Sequence, residues 1–60
     1  MFNVGDKVRV KNGKFKDYTG VITDIDLEYF PPITVEIKNS KEQFLRAFFY
    51  ENNLEKTIDK

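Results

Sequence analysis

Lys7-Val8-Arg9-Val10-Lys11, followed at once by Asn12-Gly13, is the stretch on which the fold turns. Cations and β-branched residues alternate across it, which is the two-residue period of a strand with one buried and one wet face. Val8 and Val10 are expected to point inward, and Lys7, Arg9 and Lys11 to share the outward face. Asn-Gly is the dipeptide best suited to positive φ, so the strand is expected to end there. A longer polar loop from Lys14 to Thr19 then carries Phe15 and Tyr18.

Outward from that stretch, Gly20 reopens the chain into Val21-Ile22-Thr23-Asp24-Ile25-Asp26, whose apolar positions do not keep one clean face. A bulge or sharp bend near Gly20 is the expected cause. Tyr29-Phe30-Pro31-Pro32 marks a connection, because paired prolines cannot donate to a ladder. Ile33 to Ile37 alternates without fault, Asn39-Ser40 supplies turn chemistry, and Gln43 to Tyr50 should return as a hairpin. Glu51 to Leu54 suits a single 3-10 turn, leaving Glu55 to Ile58 for a fifth short strand. The expected architecture is all-β: residues 1–60 as one domain, five short strands with a 3-10 turn before the last, curled into a small barrel.

Composition narrows the function. With no cysteine, disulfides are excluded, and with no histidine either, so is a Cys/His zinc site; nine Phe and Tyr residues must supply much of the core. Ser40, in a predicted turn, is the one serine, and three scattered glycines make no phosphate cradle, so no enzyme and no cofactor are expected. No apolar run reaches membrane-span length and the amino terminus lacks signal-peptide layout, so a cytoplasmic location is expected. The skew toward Phe, Tyr, Ile, Asn and Lys fits AT-rich coding DNA, as in a small bacterial or phage protein. The ten basic and ten acidic side chains cancel, yet they are segregated. Residues 1–20 carry a net charge of +3 and residues 21–37 a net charge of −4.

Gly5-Asp6-Lys7-Val8-Arg9-Val10, with Gly13-Lys14, Lys16 and Thr19-Gly20-Val21-Ile22, resembles the KOW motif of ribosomal proteins and NusG-type transcription factors. The likeness spans roughly residues 4 to 26 and implies an SH3-like barrel whose basic loop contacts RNA or protein. Gly20 then matches the family's signature glycine, and Lys11, Lys14 and Lys16 match its basic loop. The function the resemblance implies is a binding module for RNA, DNA or a protein of transcription or translation.

Four groups of residues are candidates for contact. Lys7, Arg9, Lys11, Lys14 and Lys16, with Phe15 and Tyr18 among them, could hold phosphates and stack a base, or could merely solvate a strand while Phe15 caps the barrel. Tyr29, Phe30, Pro31 and Pro32 form a rigid aromatic loop that either serves protein contact or folds back over the barrel mouth, and with Phe15 and Tyr18 could cage a cationic ligand. Phe44 to Tyr50 is apolar on both faces, so the face turned from the core should meet the carboxy-terminal segment, a partner, or a second copy in a homodimer. Asp24, Asp26 and Glu28 would face one way, but an oxygen cage for a metal needs more ligands and a wrapping turn; a solvated or lysine-paired face is expected. The alternative to a nucleic-acid module is a small accessory or viral protein that docks on and inhibits a host protein through this acidic side.

Overall fold

The computed structural model describes residues 2–39 and 41–57. The alternating stretch becomes strand β1, Lys7–Val10, with Val8 and Val10 buried and Lys7 and Arg9 exposed. Strands β2 (Thr19–Ile25), β3 (Ile33–Lys38) and β4 (Phe44–Phe49) follow, then a 3-10 turn, Glu51–Asn53, and β5, Leu54–Lys56. Ile58, expected to end the fifth strand, lies outside the described residues. All four pairings are antiparallel and give one sheet in the order β4-β3-β2-β1-β5.

Every strand contributes to the same core: Val8 and Val10, Ile22, Ile33, Val35 and Ile37, Phe49, and Leu54. A single sheet can bury one face of all five strands without a second layer only by coiling upon itself, and this is the small SH3-like barrel that the resemblance implies. No ladder joins β4 to β5 among the described residues, so hydrogen bonding does not close the barrel. Each buried aliphatic side chain contributes about 1.5–3 kcal/mol. No polar or charged side chain among the described residues is buried.

The irregularity of β2 is a bulge, and it is at Thr23, not at Gly20. Ile22 pairs with Val35 and Asp24 with the next residue back, Thr34, so Thr23 is the extra residue. One added residue lets Ile22 and Ile25, three apart, face the same core. It also turns Asp24 onto the outer face beside Thr34 and Phe48. Gly20 has a different task. A Cβ there would stand 2.3 Å from the Glu36 carbonyl oxygen and 2.9 Å from Ile37 Cα, so β2 and β3 approach more closely than a side chain permits.

Two small devices tie down the ends. Gly5, at φ +96°, donates its N–H to the Ile22 carbonyl, extending the pairing with β2 beyond β1. In the same turn the Asn3 N–H donates to Asp6 Oδ2 at 2.8 Å, which, with Lys56 Nζ at 3.4 Å, holds the Asp6 carboxyl below the usual carboxylate range. At the 3-10 turn, Asn53 Oδ1 accepts the Tyr50 N–H, its side-chain amide donates to Asn12 Oδ1, and its carbonyl accepts the Lys11 N–H at 2.7 Å. That one residue fastens the turn to the chain just after β1. Among the described residues, no helix is long and apolar enough to cross a membrane.

Candidate binding surfaces: a basic loop and an acidic aromatic cleft

The loop between β1 and β2 is held by its own backbone. Asp17 adopts φ +73°, a conformation that Asp tolerates better than most residues, and its N–H donates to the Val10 carbonyl at 2.8 Å. Val10 returns the bond to the Tyr18 carbonyl, while Lys16 donates to Gly13 and Tyr18 to Phe15. Lys11, Lys14 and Lys16 stand exposed on this frame. The Lys14 ammonium lies 5.8 Å from the centre of the Phe15 ring.

The strand cations differ from the loop cations. Arg9 is directly opposite Glu55 on β5, and their side chains form an ion pair, so its charge is answered within the molecule. Lys7 is exposed opposite Val21. Phe15 and Tyr18 are half-buried: their rings meet edge to face at 5.6 Å, and Phe15 meets Phe49 in the same way at 6.3 Å. Both rings thus plug the barrel beside its core, and a cage uniting them with the proline connection is not formed.

That connection makes a different site. Asp26 organises it: its N–H donates to the Pro32 carbonyl, its carbonyl accepts the Tyr29 N–H, and its Oδ1 accepts the Glu28 N–H at 3.0 Å. The Phe30-Pro31 peptide bond is cis. Tyr29 and Phe30 are left 66% and 77% exposed, so neither ring belongs to the core. With Phe48 of β4, they border an apolar cleft of about 420 Å³ whose polar members are Asp24, Asp26 and Thr34. The sequence leaves open whether Phe48 lies on the core face of its strand, and it puts the two aspartates on a solvated or lysine-paired face. Pairing register unites them, and a one-dimensional pattern does not contain it. On the same outer face Phe44 is 63% and Phe48 62% exposed, so no described segment of the chain covers that side of β4.

Comparison with known proteins adds one finding: residues 4–30 match the family model of the KOW motif. That stretch takes in the Gly5 turn, β1, the basic loop, β2 and the start of the proline connection. No curated protein and no solved structure matches the chain.

Proposed function

From the KOW motif at residues 4–30, we propose that the chain is a non-catalytic binding module that contacts RNA or DNA in the cytoplasm through its β1–β2 loop. The observation that carries this reading is the exposure of Lys11, Lys14 and Lys16 on one hydrogen-bonded loop. A fixed loop loses little conformational freedom when it meets a phosphate backbone, and three lysines can displace about three counterions. Of the strand cations, Arg9 is paired with Glu55, which leaves the loop lysines as the principal contacts. An acidic surface on a protein of transcription or translation would be met by the same three lysines.

A salt titration of binding to single-stranded RNA, single-stranded DNA and duplex DNA tests this. Three phosphate contacts give log-log slopes of about −2 on single strands and about −3 on duplex. Lys14→Glu/Lys16→Glu should abolish binding while leaving the folded spectrum intact. Binding that survives that double substitution, or that is flat in salt, overturns the reading. The acidic aromatic cleft favours a second reading, in which the chain docks on a host protein and inhibits it without nucleic acid.

A further inference from the structure

The cleft has the chemistry of a cation receptor. Asp24, Thr34 and Phe48 form one cross-strand row on β2, β3 and β4. Adjacent strands lie about 4.8 Å apart, so the carboxylate and the ring stand roughly 10 Å from each other with the shorter threonine between them. Thr34 is therefore a floor between two walls, and Tyr29, Phe30, Pro31 and Pro32 close one end. Aromatic faces carry negative quadrupole potential, and Asp24 and Asp26 add formal charge of the same sign. Among the described residues, no lysine or arginine lines the cleft. The Asp24 carboxylate makes no ion pair or hydrogen bond with any described residue, and Asp26 commits one oxygen to the Glu28 N–H.

We propose that this cleft receives an arginine or lysine side chain carried on an extended segment of a partner protein. The inference stands apart from the basic loop, since none of the lysines at 11, 14 and 16 lines the cleft. Charge complementarity selects the occupant. A nucleic acid could stack a base on Tyr29 or Phe30, but would bring its phosphates against two carboxylates. A neutral apolar peptide would have to desolvate those carboxylates without pairing them. A basic side chain satisfies both parts of the wall: its head meets the carboxylates, while its stem or guanidinium plane lies on the rings. Arginine is favoured over lysine because its planar, weakly hydrated fork can stack and pair at once.

The test is an amide-shift titration of the ¹⁵N-labelled chain with three blocked pentapeptides, Gly-Gly-Xaa-Gly-Gly, where Xaa is Arg, Lys or Gln. The expected result is shifts confined to residues 24–34 and 48, with affinity in the order Arg, Lys, Gln. Asp24→Asn and Phe30→Ala should each weaken the arginine peptide by roughly three- to tenfold. Both residues are exposed, and the spectra report directly that each variant is folded. Lys14→Glu/Lys16→Glu should leave peptide binding unchanged, which separates this site from the loop. Equal binding of the glutamine peptide, unaltered affinity in Asp24→Asn, or shifts outside the cleft would overturn the proposal. It is likewise overturned if the same amides move with protein concentration alone or with an oligonucleotide, because a second copy or a nucleic acid would then be the occupant.

Discussion

Gly20 and Gly13 show how one residue type can be required for two unrelated reasons. At Gly13 the backbone is left-handed, φ +84°, with open space where a Cβ would go. At Gly20 the backbone is ordinary, but a methyl group would collide with β3 at the Glu36 carbonyl. Gly13→Ala therefore costs conformational strain of about 1–2 kcal/mol. Gly20→Ala has to push two hydrogen-bonded strands apart and should cost about 3 kcal/mol or more. A domain of this size has only about 3–9 kcal/mol in hand. Urea denaturation of both variants checks the contrast, and a Gly20→Ala loss below about 1 kcal/mol would refute the close-approach account. The glycine of the KOW resemblance is thus explained by packing between β2 and β3, with no appeal to its partner. Asn53 is the opposite case. Its side chain and carbonyl join the 3-10 turn to Lys11 and Asn12, and nothing in Glu51-Asn52-Asn53 distinguishes it from its neighbour before the turn is folded.

At the level of the strand, the bulge at Thr23 makes a prediction that looks perverse from the sequence. Removing Thr23 leaves Val21 outside, Ile22 inside, Asp24 outside and Ile25 inside, an unbroken alternation already in register with Val35, Thr34 and Ile33. Removing Val21 instead moves Ile22 onto the outer face. The chain lacking Thr23 should fold with a stability loss of no more than about 2 kcal/mol, whereas the chain lacking Val21 should fail to fold. Circular dichroism melting of the two deletions decides it, and equal tolerance would mean that register is not set by the core face. The strands that alternate cleanly, Lys7–Val10 and Ile33–Lys38, were legible because burial on one face leaves a period of two in the residues. In β2 the disturbance was legible but its expected place was wrong: a bulge at Gly20 precedes both Ile22 and Ile25 and leaves their relative faces unchanged, so the extra residue has to fall between them, as Thr23 does. The cleft was hidden for a related reason: Asp24, Thr34 and Phe48 become neighbours only through the register of three strands.

Over the whole molecule, segregated charge becomes two differently equipped surfaces. The cations at 11, 14 and 16 ride a loop beside the plugged barrel mouth, and the carboxylates at 24 and 26 sit among exposed aromatics. A net charge of zero conceals this, because the opposing charges occupy different elements. Raising salt from 0.05 to 0.5 M should weaken single-stranded nucleic acid binding by about a hundredfold. The urea midpoint should hardly move over the same range, and a parallel collapse of stability would show that ion pairs hold the fold. The reason goes back to the core of Val8, Val10, Ile22, Ile33, Val35, Ile37, Phe49 and Leu54, which shelters no polar side chain among the described residues. A frame built that way is indifferent to electrolyte, so ionic strength acts on this protein as a clutch, disengaging what it carries while the chassis stays rigid.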